Sequence, residues 1–151
     1  MYPLEDVTGF DPGAEGDQSE IKISALAWYG PDQLLVDERT DDVTKLYLVR
    51  LSGATNILDG ELDDPAHRPS LEQAGPGGVV ALAKSLLVDV TAAVPNAPTK
   101  IEGVAVRDPS TVALANDNDF GMRNGPDAFD AAGHQRDTGV PSRLLVLHVP
   151  G

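Results

Sequence analysis

Turn signals interrupt this chain too often for long helices to form. From Ile21 onward, short apolar runs stop at Gly30-Pro31-Asp32, at Asp41-Asp42, at Gly53, at Pro95 and Pro98, and at Pro109-Ser110. Gly and Pro break regular structure for opposite reasons, one through backbone freedom and the other through a fixed φ and a missing N–H. The runs between them carry strand patterning. Ile101, Val104 and Val106, then Val112 and Leu114, alternate with small or polar residues, as a half-buried strand requires. The expected fold class is all-β.

The runs fall into two groups. Residues 21–30, 33–40, 45–53 and 54–58 read as an antiparallel four-stranded meander over 21–58. Residues 59–78 are rich in Pro, Gly and acid without periodicity, which predicts a long polar loop with one helical turn near 70–73. Residues 79–94 suit a helix or a buried strand, and Val79, Val80, Leu86, Leu87, Val88 and Val90 favour the strand. With 100–108, 111–117 and 142–149 they make a second meander over 79–151, interrupted by a polar insertion at 116–141. Residues 1–20 form a lead-in or the end of a preceding blade. Successive antiparallel four-stranded meanders suggest β-propeller blades, although a sandwich gives much the same pattern.

At 151 residues the chain has the length of about one domain. Only 5% is aromatic, so Val, Leu, Ile and Ala must build the core. The net charge of −13 disfavours nucleic acid and anionic membranes as partners. The absence of cysteine excludes disulfides and thiolate metal sites. Residues 1–20 are acidic, without a basic residue or an apolar run, and do not read as a signal peptide; no later run is long enough to span a bilayer.

The densest polar feature is Asn116-Asp117-Asn118-Asp119, which follows a strand directly. Two carboxylates and two amides within four residues suit a hard cation such as Ca²⁺, and they equally suit a turn that caps backbone amides. It is not an EF-hand, because counting from Asp117 puts Ala128 where the twelfth-position Glu is required. Glu102, inside a strand pattern, needs a cation or a base such as Lys100 or Arg107. Glu38 and Arg39 end "LLVDERT" and read as an ion pair or as substrate contacts. Lys84 and Lys100 are candidate phosphate contacts, with Arg39 as a forked partner. His67, His134 and His148 lack metal spacing, and no Gly-x-Ser-x-Gly elbow is present. Gly75, Gly77 and Gly78 open no convincing helix for phosphate.

"KISALAWYGPDQLLVDERT", "KLYLVRLSGATNIL" and "KIEGVAVRDPSTVALANDNDFG" together resemble the phytase-like domain family, described by esterase-like activity of phytase, over roughly residues 20–149. The resemblance implies the C-terminal part of a β-propeller, so that self-association or missing upstream blades would complete the ring. It also implies a bacterial, extracytoplasmic protein, periplasmic or secreted. The complete protein would be a metal-dependent phosphoric ester hydrolase acting on a small-molecule phosphate ester with a divalent cation such as Ca²⁺. On this resemblance Glu38, Arg39, Glu102, Asn116 and Asp117 converge on the axial face, with Asp117, Asp119, Asn116 and Glu102 as metal ligands. Glu38, Arg39, Lys84 and Lys100 would contact substrate, and no residue is assigned the catalytic role. A non-catalytic propeller module binding a ligand or protein partner is the alternative, and a truncated product without activity is a third reading.

Overall fold

The computed structural model describes residues 1–75 and 77–150. It contains two antiparallel sheets, in agreement with the all-β expectation. The first has the order β1 (Lys22–Gly30), β2 (Gln33–Arg39), β3 (Thr44–Arg50), β4 (Ala83–Asp89). The second comprises β5 (Ile101–Asp108), β6 (Thr111–Asn116) and β7 (Leu144–His148). Turn chemistry fixes the hairpins. Asp32 takes a positive φ of 65° between β1 and β2, and its carboxylate accepts the Ser52 N–H at 2.7 Å. Asp108 accepts both the N–H and the hydroxyl of Ser110 between β5 and β6.

The strand count differs from the expected pair of four-stranded meanders. Residues 54–58 are not a strand: the Asn56 side chain accepts the Leu58 N–H at 3.1 Å, and the Ile57 carbonyl accepts the Gly60 N–H at 3.0 Å. Those local bonds bend the chain just after Thr55, whose N–H reaches the Val80 carbonyl at 2.9 Å, so that single contact does not extend into a strand. The fourth strand of the first sheet comes instead from the 79–94 run, whose residues 83–89 pair with β3. That run then closes in a helical turn, Val90–Ala93, because the Asp89 carboxylate caps the Ala92 N–H. The second sheet is left with three strands. The loop after β3 carries the expected helical turn, at Leu71–Ala74. Pro76 within the 59–78 segment and Gly151 at the end of the 79–151 segment lie outside the described residues.

The sheets pack face to face. Leu35 and Leu46 from the first, Val90 from the helical turn, and Ile101, Val112 and Leu114 from the second form the core between them, closed by Val149. Burying each such side chain is worth about 1.5–3 kcal/mol. The lead-in covers part of the other face of the first sheet, around Tyr47, while Leu26 and Trp28 of β1 stay 62% and 69% exposed. Val7, Phe10 and Ile21 pack on Tyr47, the Lys45 ammonium donates to the Phe10 carbonyl at 2.8 Å, and the Thr40 hydroxyl donates to Asp11 at 2.6 Å. The outer face of the second sheet is uncovered, and Leu144 and Val146 project from it 72% and 59% exposed. Among the described residues, no helix is long and apolar enough to cross a membrane.

Candidate functional site

Strand alternation separates Glu38 from Arg39. On β2, Leu35, Asp37 and Arg39 face the second sheet, whereas Val36 and Glu38 face the lead-in. Arg39 is buried at the seam between the sheets. Its Nε donates to the Ser24 hydroxyl at 2.9 Å, and one terminal nitrogen donates to the Thr40 carbonyl at 3.2 Å and to Asp41 at 3.1 Å. The other terminal nitrogen donates to Glu102 at the start of β5. Lys22 extends the row by pairing with Asp41 at 3.3 Å. One end of the seam thus carries alternating charge from three strands and the β2–β3 turn.

Lys100 joins this row to the polar corner. Its N–H donates to the Asp41 carbonyl at 3.2 Å, its carbonyl accepts the Asp117 N–H at 2.8 Å, and its ammonium pairs with Asp119 at 3.0 Å. The bond to Asp119 raises the Lys100 pKa; burial opposes it, and the charges of Asp119, Asp41 and Asp117 add to the rise. Asp117 accepts the Asp119 N–H at 2.9 Å. Asn116 accepts the Arg143 N–H at 2.7 Å and donates to the Pro141 carbonyl, and Asn118 donates to the Val140 carbonyl at 3.0 Å. The corner therefore fastens the returning end of the polar insertion to β6. Among the described residues, no three His, Asp or Glu side chains stand together as a metal-binding group. Ca²⁺ takes six to eight oxygens. With the Asn116 oxygen taken by the Arg143 N–H and Asp119 held by Lys100, the donors present at this corner fall short of that number and do not by themselves fit that ion.

Glu38 and Lys84 lie on the opposite face from Arg39 and form a separate cluster. The Lys84 ammonium contacts Glu38 at 2.6 Å, Glu5 at 2.9 Å and the Pro3 carbonyl at 2.8 Å, with the Tyr47 ring centroid 4.1 Å away. Burial first, and the acids second, raise the pKa of Tyr47. Of the eight candidate residues, the seam gathers Arg39 and Glu102, the adjoining corner holds Lys100, Asn116, Asp117 and Asp119, and Glu38 and Lys84 belong to the lead-in contact. His67 and His134 pair locally with Glu61 and Asp130.

Asp37 is the residue that motif reading passed over. It has no exposed surface, and among the described residues neither carboxylate oxygen has a hydrogen-bond partner. Burial pushes its carboxyl up to about 7 against the pull of Arg39, with Glu102 and Glu38 adding to the rise. Counting by twos from Leu35 would have placed it on the core face.

A family model described as "Phytase-like: Esterase-like activity of phytase" matches residues 1–120. The chain belongs to this phytase-like family. The match takes in the lead-in, the whole first sheet, β5, β6 and the corner as far as Phe120, so it starts earlier and ends earlier than the 20–149 resemblance. No curated protein and no solved structure matches the chain.

Proposed function

We propose that this phytase-like chain supplies two adjacent blades of a β-propeller and that the complete protein binds and hydrolyses a phosphoric ester at the charged end of the β1–β5 seam. The row Lys22–Asp41–Arg39–Glu102 carries this reading, because it draws charged side chains from both sheets to one end of their interface. In that row and the adjoining corner, Lys22 and Lys100 are the cations accessible to an anionic ligand, 51% and 35% exposed, while Arg39 is engaged behind them. They would hold phosphate oxygens, and Arg39 would fix the strands that present them. The bare apolar outer face of the second sheet supports the blade assignment, since stacking of a further blade would cover Leu144 and Val146. A divalent cation bound elsewhere in the complete ring would offset the acidity of the surroundings, and this reading routes no step through the 116–119 corner. A periplasmic or secreted location belongs to the same proposal.

The test is turnover of p-nitrophenyl phosphate by the complete gene product, with and without chelator. Hydrolysis whose KM rises at least tenfold in a Lys22→Ala, Lys100→Ala double variant is the expected result. Hydrolysis unchanged in that variant would move the site elsewhere. No turnover of any phosphate ester, with retained phosphate binding, would favour a non-catalytic propeller module.

A further inference from the structure

We propose that Asp37 is a proton-binding site that sets how firmly Arg39 ties the two sheets together, a role independent of any ester chemistry. The surroundings of Asp37 are one-sided. Its cross-strand neighbours are Ala25 on β1 and Leu46 on β3, both apolar, and the charged groups acting on it are Arg39, Glu102 on β5 and Glu38. Every nitrogen of the Arg39 guanidinium already donates elsewhere, to Ser24, Thr40, Asp41 and Glu102. An ionised Asp37 would therefore be a buried charge without a hydrogen bond, competing with Glu102 for the same cation.

A proton resolves that competition without needing space. Asp37 lies under other atoms with no surface of its own, and a hydrated ion would require the seam to open. Neutral Asp37 leaves Arg39 to Glu102 and keeps the inter-sheet bridge intact. On ionisation it draws the guanidinium toward β2 or admits water, and either change loosens the bridge. Burial already places this carboxyl in the range where the exchange occurs near neutral pH. Glu102 keeps enough exposure to be replaced without emptying the core.

The experiment is carbon-13 NMR of the Asp carboxyls in the intact chain through a pH titration, with Glu102→Gln as the coupled variant. Asp37 is expected to titrate near 7, with the Arg39 guanidinium resonances moving in the same step. Removing the Glu102 charge should shift that midpoint downward. A wild-type midpoint below 5 would overturn the proposal without relying on any variant. So would Arg39 resonances that ignore the Asp37 step, or a midpoint unmoved by Glu102→Gln.

Discussion

Arg39 and Glu102 stand 63 positions apart in sequence and meet across the seam, one buried on the first sheet and the other half-exposed on the second. Their bridge is the polar counterpart of the Leu35–Ile101–Leu114 core beside it. Arg39 serves more than one partner, so its loss differs from the loss of Glu102.

Arg39→Ala leaves Asp41 and Glu102 without their shared cation, removes a buried side chain from the seam, and is expected to cost about 1.5–3 kcal/mol. Glu102→Ala, at a more exposed position, is expected to cost much less. Arg39→Lys should recover only part of the loss, because one ammonium cannot reproduce a fork that reaches Ser24, Thr40, Asp41 and Glu102. Urea unfolding of the variants checks the order. An Arg39→Ala midpoint equal to that of the wild type would remove the bridge as an inter-sheet tie.

Asp37 gives stability a particular pH dependence. Between the ordinary carboxyl value of 3.8 and the folded value of about 7, the native chain holds a proton that the unfolded chain releases. Its contribution is therefore full below about pH 4, falls as pH rises toward 7 and is flat above. Each pH unit in that window is worth up to about 1.4 kcal/mol. Asp37→Asn, neutral throughout, should lose this slope and be the more stable protein at pH 8. Subtracting the two melting curves isolates Asp37 from the other carboxylates, and a difference constant with pH would contradict the assignment.

Lys84 fastens the lead-in to the first sheet by holding Glu38, Glu5 and the Pro3 carbonyl at once. Lys84→Met strands the fully buried Glu38 charge and is expected to cost about 3 kcal/mol. Glu5→Ala removes a half-exposed partner and should cost about 0.5 kcal/mol. Hydrogen exchange across residues 2–10 should accelerate in Lys84→Met and change little in Glu5→Ala. Equal protection in both would mean that Val7 and Phe10 hold the lead-in without the ion cluster.

The uncovered face of the second sheet should make this chain self-associate at high concentration. Leu144→Lys with Val146→Lys is expected to leave unfolding unchanged while weakening that association in sedimentation. A wild-type chain that stays monomeric at millimolar concentration would show that the face tolerates water.

Strand positions were legible in the sequence because the alternation of Val104, Val106, Val112 and Leu114 and the turn signals Gly30-Pro31-Asp32 and Pro109-Ser110 are local. The fourth strand of the first sheet was not. Its partner β3 lies across a long loop, and periodicity does not say which of two sheets an apolar run joins. The site divided in the same way. Glu102 was expected to need a partner, but Arg39 in that role requires the sheets to be stacked. Treating Glu38 and Arg39 as one unit overlooked that adjacent strand residues point to opposite faces. Asp37 carried no motif, and its importance comes from what surrounds it.

The corner at 116–119 separates the two readings of its residues most directly. Asp117 caps the Asp119 N–H, Asp119 pairs with Lys100, and the flanking amides reach residues 140–143. Four side chains committed in this way hold their loop without a cation, so Ca²⁺ should leave the melting temperature of this chain unchanged. Asn116→Ala should cost about 0.5–1.5 kcal/mol, since it removes the bonds to the exposed Arg143 N–H and Pro141 carbonyl, which water then solvates. The Asp117→Asn, Asp119→Asn double variant should fold, because an Asn oxygen still accepts a backbone N–H. A rise in melting temperature with Ca²⁺ in the wild type that disappears in the double variant would return the corner to a cation, since a ligand confined to the folded state stabilises it by mass action.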